Sequence, residues 1–234
     1  MYKILFFACF FIAFSIQSSA QLNGTYKDGT DSLSFSNENV IFSVSGFSGL
    51  STVQVGEGKY EVVEDFLLIK TGDYSGEKTT FQALEKSKRD TTTVKVVSKQ
   101  NYPVQGMLIE WLNQSGKVIK GQVSGDDGKV LFIPDPKTRQ IRVSQLGFHN
   151  IVFDFDTSKD FLIQAAKNDV IEHKTVVFRL NQVDDETLSV LLLSDDFNPG
   201  KNRDKELEKL QKRAKKNNKL DKRLKKVYVP IYSR

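Results

Sequence analysis

Two histidines, His149 and His173, and one cysteine, Cys9, are the only imidazoles and thiol in the 234 residues. No His-x-x-x-His or His-Glu-x-x-His spacing occurs, and a metal site built on a single imidazole needs carboxylate partners that the sequence does not single out. Both histidines therefore read as strand or turn residues. Beyond residue 20 the chain has no cysteine, which excludes disulfides, thiolate nucleophiles and Cys-ligated metals there. Ser45-Gly46-Phe47-Ser48-Gly49 has a glycine out of place for a nucleophile elbow, and no glycine-rich phosphate loop follows. The expectation is no catalytic residue, no metal and no cofactor.

Acidic pairs are the remaining route to catalysis. Asp126-Asp127, Asp184-Asp185 and Asp195-Asp196 could act as paired carboxylates or hold calcium, but none lies in a twelve-residue calcium loop. Turn chemistry is the favoured reading, because Asp side chains bond their own backbone two residues on. A hydrolase or carbohydrate-active enzyme working through these acidic loop residues is the alternative function.

Cations are concentrated at one end. Residues 201–234 hold fourteen Lys or Arg against four acids, a balance of +10, whereas residues 21–200 hold 19 against 25, a balance of −6. The candidate partner-binding residues are Lys212, Arg213, Lys215, Lys216, Lys219, Lys222, Arg223, Lys225 and Lys226. Such a density neutralises phosphates or carboxylates, whether on an anionic envelope polymer, a lipid or an acidic envelope protein. Docking on the acidic body of the same or a neighbouring molecule weighs equally.

The address comes from the first twenty residues: Lys3, an apolar run over 4–16, then Ser18 and Ala20 before Gln21. That order reads as a secretory signal peptide cleaved after Ala20; the run is short for a bilayer span, which needs about 20 residues. The expected location is secreted, periplasmic or outer-membrane associated in a bacterial envelope. Nucleic acid is not an expected partner, and no transmembrane span is expected after cleavage.

With 39% hydrophobic and 27% charged residues the chain should fold, and its short apolar runs between Gly, Asn and Asp turns predict an all-β protein. Residues 21–86 predict an antiparallel meander or small barrel of about six strands, with turns at 36–39 and 64–65. Asn23-Gly24-Thr25-Tyr26 and Gly58-Lys59-Tyr60 are similar to strands of lipocalin-like meanders. If such a barrel were closed and unfilled, a small hydrophobic ligand could occupy it. Residues 85–90, without an apolar side chain, read as the linker.

A second β unit is expected over 91–196. Within it, Pro103-Val104-Gln105-Gly106, Asp126-Asp127-Gly128-Lys129-Val130 and Ile141 through Gly147-Phe148 carry a resemblance. Residues 91 to about 165 resemble a carboxypeptidase regulatory-like domain, a transthyretin-like β-sandwich. The resemblance implies seven strands and no peptidase activity, since the family's catalytic domain is not part of it. Gly106, Gly128 and Gly147 would take backbone conformations that a Cβ resists, and Trp111 would be a core residue. Thr175–Leu193 would add a hairpin to this sandwich. Residues 197–234 predict a basic helical tail, helical from Arg203 to Lys226, with Leu207, Leu210 and Ala214 on one stripe and Leu220, Leu224 and Val227 on a second. A chain ending at Asn198 is expected to fold. The function expected is that of an exported, non-enzymatic binding or assembly protein.

Overall fold

A computed structural model describes residues 22–45, 52–200, 202–216 and 221–228. The expected leader (1–20, with Cys9), residues 46–49, Lys219, Leu220 and the chain from 229 onward lie outside them.

The chain opens with five strands, β1 (Gly24–Asp28), β2 (Asp31–Ser36), β3 (Asn39–Ser45), β4 (Val53–Val63) and β5 (Phe66–Thr71), each antiparallel to the next. Asn37 and Glu64 sit at φ of +54° and +52°, so the turns expected at 36–39 and 64–65 are both present. On β4, a Cβ on Gly58 would lie 2.0 Å from the Lys70 carbonyl oxygen, so only glycine lets β5 come this close.

The chain then leaves this sheet. Two four-stranded sheets follow: β10–β7–β13–β6 and β12–β11–β8–β9. Their strands in chain order are β6 (Thr80–Glu85), β7 (Thr92–Ser98), β8 (Leu108–Leu112), β9 (Val118–Val123), β10 (Lys129–Phe132), β11 (Gln140–Ser144), β12 (Ile151–Asp154) and β13 (Lys159–Ala165). One core cluster unites both sheets, with Val94, Val96, Ile109, Ile141, Phe161 and Ile163 fully or nearly fully buried. Trp111 belongs to it, its ring 4.3 Å from that of Phe132, as the sequence suggested. Gly106, Gly128 and Gly147 have φ of +85°, +70° and +82°, the conformations expected of them.

Returning, the chain forms β14 (Asp169–Val170), β15 (Thr175–Asp184), β16 (Thr187–Ser194), helix α1 (Arg203–Lys216) and β17 (Lys222–Val227). β14 adds to β4, while β15 pairs with β5 and β16, and β17 lies antiparallel between β16 and β1. Strands β1–β5 and β15–β17 thus close an eight-stranded antiparallel barrel, and the sandwich is inserted between its fifth and sixth strands. The all-β class, the antiparallel barrel and the helix near the end of the chain are as the sequence indicated.

Three boundaries differ. The strand at 80–85, expected in the first unit, pairs with β13 in the sandwich. Residues 85–90 are consequently no inter-unit linker. Asp160 accepts from the Ser87 amide and hydroxyl at 2.8 and 2.6 Å and from the Thr93 amide at 2.7 Å, which fixes this connection inside the sandwich. The hairpin at 175–193 belongs to the barrel, because its apolar residues are needed on both faces: Phe178 and Val190 point to the barrel interior, Val177 and Leu191 to α1.

The third correction concerns the tail. Helix ends at Lys216, and 222–227 is a strand whose Leu224 is fully buried in the barrel core. Closing the barrel satisfies the edges of β1 and β16, and burying Leu224 contributes roughly 1.5–3 kcal/mol. A chain ending at Asn198 would lack the strand that joins β1 to β16, which argues against the expectation that such a chain folds normally. The helix itself follows its sequence: Asn202 caps it through a 3.2 Å bond from the Lys205 amide, and Leu207, Leu210 and Ala214 cover Phe66, Leu68 and Leu193.

Candidate binding surfaces

The barrel interior is filled. Leu33, Phe35, Phe42, Leu67, Phe178 and Leu188 meet across it, with the Phe42 and Phe178 rings edge-on at 5.5 Å. A void of about 10 Å³ beside Val44, Phe178 and Val190 is no more than a single water needs. A separate, surface-open hollow of about 350 Å³ lies beside Leu22, Val62, Leu180 and Leu188.

The basic residues divide into those committed to the fold and those left on the surface. Lys222 and Lys226 share the inward face with Leu224. At one mouth of the barrel the Lys222 ammonium donates to Asp31 Oδ2 at 2.5 Å and to the Ser45 hydroxyl, and Ser45 Oγ donates to Asp31 Oδ1 at 2.8 Å. A serine beside a lysine is the minimum for nucleophilic catalysis, but an ammonium donating to both neighbours has no lone pair to take the serine proton. The three groups lock the starts of β2 and β17 to the end of β3. Lys226 lies over the Tyr26 ring, 5.9 Å from its centroid. Arg213 donates to the Leu193 carbonyl at 3.1 Å, and Lys212 pairs with Glu208 at 2.8 Å.

Lys215, Lys216, Arg223 and Lys225 are exposed and form no ion pair among the described residues. Arg179 brings them together. This guanidinium, on the outward face of β15, donates to the Ala214 carbonyl at 3.3 Å and to both carboxylate oxygens of Asp221, and Ser189 Oγ donates to Asp221 at 3.1 Å. The last turn of α1 and the entry to β17 thus meet at one buried group: Lys215 and Lys216 directly follow Ala214, and Arg223 and Lys225 lie two and four residues past Asp221. Lys27 extends the surface, directly opposite Lys225 in the β1–β17 register. The nine-residue prediction therefore separates into four exposed cations outside any ion pair, an exposed Lys212 paired with Glu208 along the helix, three cations held by the fold (Arg213, Lys222 and Lys226) and Lys219, outside the described residues. Asp31, Ser45 and Arg179 carried no local signal, because their partners lie far away in sequence.

The acidic pairs serve their own turns. Asp127 Oδ1 accepts the Lys129 amide at 3.0 Å, Asp184 Oδ1 accepts the Glu186 amide at 2.8 Å, and the Asp196 amide donates to Ser194 Oγ at 3.4 Å. Bonds from the Lys129 and Glu186 amides hold Asp127 and Asp184 below the usual carboxylate range.

Both histidines lie where the chain passes between barrel and sandwich. His149 Nδ1 accepts the Thr79 amide at 3.0 Å, and its own amide donates to the Ala166 carbonyl at 3.0 Å. Burial lowers its pKa, so Nδ1 is the acceptor of a neutral ring and the proton rests on Nε2. Glu172 accepts the Tyr74 amide at 2.6 Å and Lys78 Nζ at 2.9 Å. Burial opposes its ionisation, yet these bonds outweigh burial and lower its pKa. His173 Nε2 lies 3.1 Å from Asp73 Oδ1 on the surface. Among the described residues no group of three or more His, Cys, Asp or Glu could hold a metal, and no helix is long and apolar enough to cross a membrane.

A groove of about 600 Å³ opens beside this neck, lined by residues that include Tyr102, Gln105, Phe148 and Asn168. Comparison of the chain with family models, with curated proteins and with solved structures gives no match.

Proposed function

We propose that this chain is an exported, non-enzymatic binding or assembly protein of a bacterial cell envelope. Its two β bodies serve as the scaffold, and the surface formed by the end of α1, β17 and Lys27 contacts a phosphate-bearing envelope polyanion.

The observation that carries this reading is the register of β1 against β17. Lys27 and Lys225 are exposed and directly opposite, an arrangement that destabilises a sheet by a few tenths of a kcal/mol or more. Arg223 on the same outward face, with Lys215 and Lys216 at the helix end, adds three further positive charges. Asp184 lies close enough to Lys225 to feel its charge, so the acidic turn at 184–186 offsets part of this repulsion. A fold that retains mutual repulsion on one face gains it back when an anion binds there. The signal-peptide reading of residues 1–20 supplies the compartment, and the likeness of 91–165 to carboxypeptidase regulatory-like domains is consistent with a non-catalytic sandwich.

The test is crosslinking in intact cells. Replacing Lys215, Lys216, Arg223 and Lys225 together by Ser, with thermal stability checked, should abolish the envelope crosslinks of the wild type; persistence of the same crosslinks would refute the assignment.

A further inference from the structure

We propose that the groove beside Tyr102 binds a neutral oligosaccharide. This site is separate from the basic face and does not rest on it.

Tyr102 is 72% exposed although an aromatic side chain gains more than most from burial. Its exposure is imposed by a rigid turn. The Ser98 amide donates to the Tyr102 carbonyl at 2.8 Å, the Tyr102 amide donates to Ser98 Oγ at 3.2 Å, Asn101 sits at φ +65°, and Pro103 bridges to Val97. The backbone of the turn therefore presents an exposed aromatic ring at the edge of a groove of about 600 Å³, well within the size range of small-ligand sites. Val104, Phe148 and Ala165 provide apolar surface within it.

The polar lining chooses the ligand. Gln100, Gln105 and Asn168 are amides, each able to donate and accept, and hydroxyl groups have the same dual capacity. Asn168 spends one donor on the Glu77 carbonyl at 3.4 Å and keeps its carbonyl oxygen. A phosphate ligand is disfavoured: Lys99 is paired with Glu77 at 3.3 Å, which leaves Lys167 as the one cation of the lining outside an ion pair. An extended peptide is disfavoured as well, because β7, the strand leading into this turn, is flanked by β10 and β13 and has no open edge to accept another strand. Pyranose rings, with an apolar C–H face and a hydroxyl rim, match an aromatic plate surrounded by amides.

The experiment titrates the chain with chitohexaose and with cellohexaose to about 10 mM, following isothermal heat and amide chemical shifts. Saturable binding of at least one is expected, with shifts at residues 98–105 and 165–168. Tyr102→Ala, an exposed change that should leave the melting temperature unaltered, should weaken it about tenfold or more. Lys215→Ser with Lys216→Ser should leave it unchanged, which separates this site from the basic face. Absence of saturation with both sugars, equal affinity in Tyr102→Ala, or shifts confined elsewhere would overturn the proposal, as would a groove that takes an extended peptide and neither sugar.

Discussion

Arg179 and Asp221, forty-two positions apart, form a doubly hydrogen-bonded ion pair beneath helix α1, with side chains only 10% and 16% exposed. Because the same guanidinium also bonds the Ala214 carbonyl, this pair ties the last turn of the helix to the entry of the last barrel strand.

Arg179→Met should accordingly cost about 3–5 kcal/mol, since it leaves Asp221 buried with Ser189 as its remaining partner. Adding Asp221→Leu should recover much of that loss. Urea denaturation of the two variants checks both statements. Equal stability of Arg179→Met and wild type would mean that the pair does not organise this junction.

The last strand makes a separate prediction. Leu224→Ala should destabilise the barrel by about 2–5 kcal/mol, and a chain ending at Asn198 should lose cooperative unfolding of the barrel. Calorimetry of both, compared with the full chain, decides whether residues 222–227 are structural; a sharp, unchanged transition in the shortened chain would contradict barrel closure.

The sandwich should be removable. The Thr71 amide donates to the Lys174 carbonyl at 2.9 Å, and Asn168 reaches the Glu77 carbonyl at 3.4 Å, so the outgoing and returning chains run side by side. Joining Glu77 to Asn168 by a short Gly-Ser turn should leave a folded barrel, because long insertions add only slowly to loop-closure entropy. Circular dichroism and a cooperative melt are the readout, and an unfolded product would show that the sandwich is needed for barrel folding.

Acid should weaken the neck between the two bodies. Burial lowers the pKa of His149 in the folded state, so the unfolded chain binds its proton first as pH falls. The stabilising contribution is complete above the ordinary imidazole value of about 6.5 and declines as pH drops below it toward the lowered folded pKa. Lys78 beside the ring acts in the same direction, while Glu172 and Asp169 oppose it. Urea midpoints between pH 7.5 and 5.5 should therefore fall more steeply for wild type than for His149→Gln; parallel curves would remove His149 from the explanation.

Much of this architecture is readable locally. Turns at 36–39, 64–65 and 184–186, the left-handed glycines and the buried Trp111 all follow from residue type and near neighbours. What hid was long range. Nothing between Phe66 and Val177 marks β5 and β15 as neighbours, because the pairing spans an entire inserted sandwich. The basic end misled for a different reason. A strand whose inward residues are Lys222, Leu224 and Lys226 has one apolar side chain, and its lysines are tolerated only because Asp31 and Tyr26 await them at the two ends of the strand. Leucine spacing in 207–224 then looks helical throughout. The four surface cations were legible as charge, but their separation from the structural ones needed the fold.

The most direct measurement is the salt dependence of binding to two phosphate sources, phosphatidylglycerol vesicles and soluble polyphosphate, which also distinguishes a lipid from a polymer. The chain should bind at least one, with affinity falling about a hundredfold between 50 and 200 mM salt if four cations take part. The Ser variant at Lys215, Lys216, Arg223 and Lys225 should lose both the affinity and the slope. Binding of neither source, or binding by the variant with an undiminished slope, would contradict the account.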